Sequence, residues 1–227
     1  MVNAFLTEAP ADAPSTEEFV RRLITDDGVK GVGGFSLVCG RFGEPLAVVS
    51  NRTPSTEGVV WIGKEPGQTA GLSNAAFGDR SWRKVLDGER LMNVAISESV
   101  NQKLTEDQLI QKLLEVLSTD TLPRPEGNEK GEGLTTYLKH LRNSIFIPPI
   151  GGEIAEKGKA DEIAAAKENH PVTVDDHMSG VYGTHTQTVI LVRHDGQCTF
   201  FERSIFAPKG SQERTFRFSM RGTEPSI

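Results

Sequence analysis

The segment Gly71-Leu72-Ser73-Asn74-Ala75 carries the side chain best suited to chemistry in this sequence. A glycine-led turn that presents an asparagine amide can donate its N–H to an oxygen on which negative charge develops. Serine and asparagine side chains also commonly hydrogen-bond to the backbone of their own turn. Asn74 is therefore a candidate oxyanion donor, and a local role of Ser73 and Asn74 in the turn is the alternative.

Two further segments carry residues that can contact a ligand. Asn51 and Arg52 follow a predicted strand, and an arginine can hold a carboxylate through two parallel hydrogen bonds. An ion pair at the strand end is the alternative for this pair. Thr184 and Thr186 place hydroxyl groups on one side of a strand, where they can line a polar groove. Threonine is also favoured in strands for its shape alone, so the groove and a structural role both stay open.

The sequence gives little support for a metal site. His170 and His177 are close in sequence, but the chain has neither a paired-cysteine motif nor a His-Glu-x-x-His motif. Cys39 and Cys198 fall in apolar predicted strands, where an inert buried thiol is the usual state of a cysteine. We therefore predict no metal ligands.

Charge and hydropathy exclude several functional classes. The chain has 25 Lys and Arg residues against 31 Asp and Glu residues, a net charge of −6 without a basic cluster, which argues against a nucleic-acid binder. No apolar run approaches the roughly 20 residues of a transmembrane helix, and the first residues do not resemble a secretory signal. Two cysteines and a mean hydropathy of −0.33 are typical of a soluble globular protein of a reducing compartment.

Helix caps and periodicity predict the elements that position the first group of candidate residues. Ser15 and Glu18 form a capping box ahead of a helix over residues 15–27. A turn at Gly43-Glu44-Pro45 separates the first two of three short strands. The three strands are predicted at residues 35–40, 46–51 and 59–62. Helical spacing of apolar residues recurs more loosely over residues 82–96.

The second half of the chain contains the clearest strand signal. A second capping box at Thr105 and Gln108 predicts a helix. Its apolar face consists of Leu109, Ile110, Leu113, Leu114 and Leu117. An Asp195-Gly196 turn predicts a hairpin. The other elements are a short helix at 134–141, a strand at 145–147, hairpin strands at 186–192 and 197–203, and a half-buried strand at 215–220. This order indicates an α+β layered fold, a single domain over residues 1–227 with a surface insertion at about 151–179.

Four segments in this order resemble the Transport-and-Golgi-organisation protein 2 family, also called the NRDE family. They are Gly33-Gly34-Phe35-Ser36-Leu37 through Ser50-Asn51-Arg52; Gly71-Leu72-Ser73-Asn74-Ala75 with Trp82-Arg83-Lys84; Tyr182-Gly183-Thr184-His185-Thr186-Gln187-Thr188-Val189; and Phe200-Phe201-Glu202-Arg203-Ser204. The resemblance covers roughly residues 4–220 and is weakest over 151–179. It implies an αββα sandwich of the kind found in N-terminal-nucleophile hydrolases.

The opening residues depart from the pattern of the family. Family members usually begin Met-Cys and carry an early Asn-Arg-Asp-Glu motif, whereas this sequence has Val2 and neither motif. An N-terminal nucleophile needs a Cys, Ser or Thr side chain beside its own α-amino group, and valine offers none. We therefore expect a chain that lacks the N-terminal third of the family fold and is non-catalytic as given. A naturally shortened homologue is the alternative.

The resemblance implies a role in Golgi organisation and protein secretion, through haem or lipid handling. It also implies a cytoplasmic protein that associates with Golgi or mitochondrial surfaces. Haem is the one cofactor suggested, although the sequence has no Cys-x-x-Cys-His attachment motif. Two alternatives stay open: a fragment of an N-terminal cysteine amidohydrolase with Asn74 in its oxyanion hole, or a protein–protein interaction module. The expected partner is accordingly a small ligand or another protein.

Overall fold

The computed structural model describes residues 14–25, 33–123, 137–150, 182–205 and 210–220. Within these ranges the chain forms three α-helices and two three-stranded antiparallel sheets, so the predicted mixture of α and β structure is confirmed. The helices are α1 (Thr16–Thr25), α2 (Arg83–Gln102) and α3 (Glu106–Leu117). The strands are β1 (Ser36–Cys39), β2 (Leu46–Ser50), β3 (Val60–Ile62), β4 (Thr186–Val192), β5 (Gln197–Ser204) and β6 (Gln212–Ser219). The chain divides into two units, Met1–Glu89 and Arg90–Ile227.

In the first unit, α1 packs on one face of the sheet β1-β2-β3. Alternate residues of β2 point toward the helix, and Ala47 and Val49 have no exposed surface. The apolar face of α1 supplies Phe19, Val20 and Ile24 to the same core. Val48, between these two residues, points to the opposite face of the sheet and is also buried, with 5% of its surface exposed.

In the second unit, α3 packs on the sheet β4-β5-β6. Its apolar stripe of Ile110, Leu113 and Leu114 contacts Val189 of β4 and Phe201 of β5. Strands β4 and β5 form the hairpin predicted from the Asp-Gly turn, with Val189 opposite Phe201 in the register. The turn glycine, Gly196, has a φ of 77°, a value that glycine adopts without steric cost.

Both predicted capping boxes are present. At α1, the hydroxyl of Ser15 accepts from the backbone N–H of Glu18 at 3.2 Å, and the Glu18 carboxylate accepts from the backbone N–H of Ser15 at 3.0 Å. At α3, Thr105 and Gln108 make the equivalent reciprocal pair. Each box satisfies backbone donors that a helix N-terminus otherwise leaves without partners, which explains why both helices begin where the sequence indicates.

The strand predicted at residues 145–147 is wrong. Ser144, which has no exposed surface, donates its hydroxyl to the carbonyl of Phe146 at 2.7 Å and accepts from the N–H of Thr121 at 2.8 Å. A side-chain bond to the carbonyl two residues on bends the backbone and competes with strand pairing. Among the described residues, an isolated bridge between Ile150 and Tyr182 follows this segment.

The final strand is present, but its predicted half-burial is wrong. All eight residues of β6 are exposed, and Phe216 and Phe218 retain 56% and 49% of their surface. Their alternation with Arg217 is as predicted, and the side chain of Arg217 reaches the acidic start of α3. Alternation therefore fixed which residues share a face of β6, whereas it did not determine whether that face is covered.

Two other expectations concern segments that the structure describes in part or not at all. Of the helix predicted at 134–141, the described residues form one 3₁₀ turn, Leu138–His140. The surface insertion at 151–179 lies outside the described residues, together with His170 and His177. The expectation of a single domain stays a prediction.

Candidate functional site

The first unit contains an open cleft of about 770 Å³ between its sheet and the loop that precedes α2. Its walls are residues 34–36 at the start of β1, residues 50–52 at the end of β2, residues 72–76, Asp79 and Trp82. Four predicted site residues line this one cleft: Asn51, Arg52, Ser73 and Asn74. They come from two segments about twenty residues apart in the chain, and the fold brings them together.

The turn after β2 presents Arg52 to the cleft. The backbone N–H of Ser50 donates to the hydroxyl of Thr53 at 2.9 Å, and the N–H of Arg52 donates to the hydroxyl of Ser50 at 3.2 Å. Asn51 accepts a long bond of 3.4 Å from the backbone N–H of Phe35, which ties the turn to the start of β1. The position of the Arg52 backbone is therefore fixed, while its side chain is exposed.

The guanidinium of Arg52 has no acidic partner in the described part of the chain. The ion pair that the sequence left open as its alternative is consequently not seen among these residues. An arginine without a carboxylate partner retains its full capacity to bind a carboxylate or phosphate group, through two parallel hydrogen bonds.

Ser73 and Asn74 lie on the opposite wall of the cleft. Ser73 is half-buried and Asn74 is exposed, and neither side chain hydrogen-bonds to a described residue. The alternative in which these side chains satisfy their own turn is therefore not seen. Each keeps a donor for a ligand, since a serine hydroxyl and an asparagine amide both donate hydrogen bonds.

Trp82 supplies an apolar surface to the same cleft, and Lys84 helps to hold it. The Lys84 ammonium lies 5.1 Å from the centroid of the indole ring, within the range of a cation–π interaction. Burial lowers the pKa of Lys84, because removal from water penalises the charged form. Phe35 adds a second, half-buried aromatic ring to the lining. The cleft thus combines polar donors with flat apolar walls.

Thr184 and Thr186 belong to the second unit and have local partners. The hydroxyl of Thr184 accepts from the backbone N–H of Ile147 at 2.9 Å, so it holds the chain before β4 in place. The hydroxyl of Thr186 lies 3.0 Å from Nδ1 of its neighbour His185. Thr186 and Thr188 do share the exposed face of β4, as the strand period indicates. A ligand-binding role for Thr184 and Thr186 stays a prediction.

The described residues contain no cluster of three or more potential metal ligands. Both cysteines are buried and free, and burial raises the pKa of the Cys39 and Cys198 thiols. A thiol with a raised pKa is a poor nucleophile at neutral pH, as expected of cysteines within strands. None of the described helices is long and apolar enough to cross a membrane.

Sequence reasoning missed several residues that shape the cleft. Trp82 belonged to a recognised motif, but helical spacing made it look like a core residue. Ser36 and Ser50 pair directly across the first hairpin. A hairpin centred near Gly43 brings these two serines opposite one another, so the predicted turn contained the signal that could have found them. Asp79 carried no pattern of its own.

These features describe a protein of mixed α and β structure with an open cleft that is lined by an arginine, two uncharged hydrogen-bond donors and a tryptophan. The chain belongs to the Transport and Golgi organisation 2 family, whose family model matches residues 1–207. The resemblance found in the four sequence segments is thereby confirmed.

Three mammalian proteins of the same name are similar to this chain. The human Transport and Golgi organization protein 2 homolog is 31% identical over 155 residues, which are 67% of this chain and 45% of the human protein. The mouse Transport and Golgi organization 2 homolog is 29% identical over 157 residues, again 45% of its length. The bovine homolog is 31% identical over 153 residues and 44% of its length. The matched region therefore spans less than half of each relative.

Proposed function

We propose that this chain is a small-molecule-binding member of its family, and that its cleft takes an amphipathic molecule with a carboxylate group. The observation that carries the proposal is the Arg52 guanidinium, which lines the cleft without an acidic partner in the described residues. Asn74 and Ser73 offer further donors on the facing wall. Trp82 offers an apolar surface for the rest of the ligand. The chain needs no nucleophile for this role.

Haem and the fatty acids among the lipids both fit this description, because each joins a large apolar body to at least one carboxylate group. Haem or lipid handling is accordingly the chemistry that we propose behind a role in Golgi organisation and protein secretion. The role is that of a cytoplasmic protein acting at Golgi or mitochondrial surfaces. The architecture that we propose, as the family resemblance implies, is the layered αββα sandwich of N-terminal-nucleophile hydrolases.

Tryptophan fluorescence offers a direct test. Trp61 and Trp82 are the two tryptophans of the sequence, so a Trp61→Phe background leaves only the indole that lines the cleft. Titration with haem in one arm and dodecanoate in the other should quench or shift this fluorescence. In the same background, Arg52→Ala should weaken binding by about 10- to 100-fold, since a hydrogen-bonded charge contributes about 1.5–3 kcal/mol.

The matched control is Arg142→Ala, which removes an exposed arginine of the second unit. Its affinity for either probe should equal that of the unchanged background. A saturable signal in only one arm identifies the ligand class. Equal affinities for Arg52→Ala and Arg142→Ala would contradict a carboxylate site at Arg52. Absence of binding in both arms would favour a protein partner instead.

A second candidate is the catalytic one, supported by the Asn74 amide that has no partner among the described residues. In this case the chain is part of an N-terminal cysteine amidohydrolase, and Asn74 stabilises an oxyanion. In a longer protein that begins Met-Cys, Asn74→Ala should lower amide or ester hydrolysis by about 10²–10³-fold, with the melting temperature unchanged. An unchanged rate would exclude this role.

A further inference from the structure

The loop that carries Ser73 and Asn74 has both of its ends attached to one carboxylate. The backbone N–H of Gly71 donates to Oε1 of Glu89 at 3.0 Å. At the other end, Nη1 of Arg80 donates to Oε2 of the same side chain at 2.6 Å. Glu89 lies on α2, outside the loop, so the two bonds close residues 71–80 into a ring anchored on the helix. Asn74 lies between the two anchors.

Close packing fixes the first anchor as well. A Cβ atom on Gly71 would lie 3.0 Å from Cγ1 of Val85, 3.2 Å from the carbonyl oxygen of Val85 and 3.4 Å from Cγ of Glu89. The carbonyl belongs to the helix backbone and cannot move aside as a flexible side chain can. A larger residue at position 71 would therefore force the loop or the helix to shift by a few tenths of an ångström, which would strain the hydrogen bond to Glu89.

The Glu89 carboxylate is well shielded from solvent. Its side chain is 19% exposed, against 58% for Arg80. A carboxylate with so little access to water needs hydrogen bonds to its oxygens, and both oxygens have them here. Replacing this side chain removes the acceptor for the Gly71 N–H and the counter-charge for Arg80 in one step. Both ends of the loop then lose their anchor together.

We propose that Glu89 is the positioning residue of the cleft, and that it holds the 71–80 loop in the conformation that presents Asn74 to the ligand. The proposal rests on the proposed function of the cleft as a ligand site. Glu89 does not itself line the cleft, so it acts through the loop. The carboxylate sets the geometry of the donors on one wall, and Arg52 binds from the other.

The first readout is hydrogen exchange, which needs no ligand. In Glu89→Ala the Gly71 amide should exchange about tenfold faster or more, because its acceptor is gone and the loop opens locally. Glu89→Gln keeps a neutral acceptor for Gly71, so it should retain most of this protection while losing the ion pair to Arg80. The matched control is Glu98→Gln, which breaks the 2.7 Å ion pair to Lys112 elsewhere on α2 and should leave the loop unchanged.

The second readout is a double-mutant cycle on probe affinity in the Trp61→Phe background. The probe is haem or dodecanoate, whichever binds the parent. Glu89→Ala should weaken its binding about tenfold when Asn74 is present, and less than twofold in an Asn74→Ala background. This non-additivity is the signature of a residue that acts through Asn74. A merely structural residue would give the same loss in both backgrounds. If Glu89→Ala fails to fold by circular dichroism, Glu89→Gln and Arg80→Ala take its place in the cycle.

The Arg52→Ala variant distinguishes failure of the proposed ligand site from failure of the positioning role of Glu89. If Arg52→Ala weakens binding but the Glu89 variants do not, the cleft is a ligand site and the positioning role is overturned. If exchange at Gly71 does not change in Glu89→Ala, the anchor is overturned whatever the ligand does. If Arg52→Ala also leaves binding unchanged, the proposed function fails and the positioning role fails with it.

Discussion

Two buried polar side chains of the second unit and three cleft-lining side chains of the first unit differ in their hydrogen bonding. In the second unit, the buried Gln187 accepts from Arg203 at 2.6 Å and donates to Ser118 at 3.0 Å, and the buried Thr199 donates to Glu106 at 2.9 Å. In the first unit, the cleft presents side chains that have no described hydrogen-bond partner. These side chains are Arg52, Ser73 and Asn74.

This difference supports the proposal of a ligand site in the first unit. A polar side chain that is fully hydrogen-bonded inside its own fold contributes to stability and has little left to offer a ligand. A donor held at a cleft wall without an internal partner contributes little to stability and can bind. We therefore expect the helix-on-sheet core of the second unit to contribute mainly stability, and the first unit to carry the proposed ligand site.

The largest expected effect belongs to the core of the second unit. Leu114, which is 2% exposed between α3 and the sheet, should cost about 2–5 kcal/mol of unfolding free energy when changed to alanine, because the cavity loses packing as well as burial. Val100→Ala, at a position 71% exposed on α2, is the control and should stay within about 0.5 kcal/mol. Urea denaturation measures both. Similar losses at the two positions would mean that this core is not the stabilising one.

Two matched substitutions of polar side chains, one in each unit, test whether the two units differ in what such side chains contribute to stability. Gln187 is 3% exposed, and Gln187→Ala removes its hydrogen bonds to Arg203 and Ser118, which keep a 3.2 Å bond to each other, so the change should cost about 1–3 kcal/mol. Asn74→Ala removes an amide of similar chemistry from the cleft wall and should change the free energy of unfolding by less than about 0.5 kcal/mol. Equal costs from parallel denaturation curves would show that Asn74 also stabilises its unit.

The smallest expected effect is the pH-dependent contribution of Glu18 to the stability of the first unit. Hydrogen bonds from the backbone N–H and then the hydroxyl of Ser15 hold the pKa of Glu18 below its usual value of 4.5. A group whose pKa is lower in the folded state stabilises that state above the unfolded pKa, and this contribution is lost as pH falls through the folded pKa. The melting-temperature difference between the parent and Glu18→Gln should therefore be full at pH 6 and shrink below about pH 4.5. Glu17→Gln is the control, because it removes a carboxylate of the same turn without touching the hydrogen bonds between Glu18 and Ser15.

Local chemistry made much of the fold predictable. The capping boxes at Ser15 and Thr105 and the Asp195-Gly196 turn each define an element through bonds between near neighbours. The strand predicted at 145–147 was wrong because Ser144 has partners as distant as Thr121, which no local pattern contains. The burial of β6 was wrong for a related reason, since coverage of a face depends on elements far away in the chain.

In the candidate site, too, residues marked by a local pattern could be predicted and residues defined by distant contacts could not. Asn51, Arg52, Ser73 and Asn74 could be named from the sequence because polar residues beside turns carry a visible signal. Glu89 could not, since a glutamate in a helix looks like any solvated charge until its contacts are known. Its two hydrogen bonds reach 9 and 18 residues back along the chain. Residues that position a site are thus harder to predict from the sequence than residues that line it.

The exposed strand β6 has a consequence for how the protein behaves in solution. In the described residues β6 pairs with β5 alone, so its outer backbone groups are free to accept a strand from another molecule. Glu213, Arg214 and Arg217 place charges along this strand, and charged edges discourage such strand addition. Added salt screens these charges over about 8–10 Å at physiological ionic strength. We therefore expect higher ionic strength to weaken the protection that these charges give to the edge, next to the exposed Phe216 and Phe218.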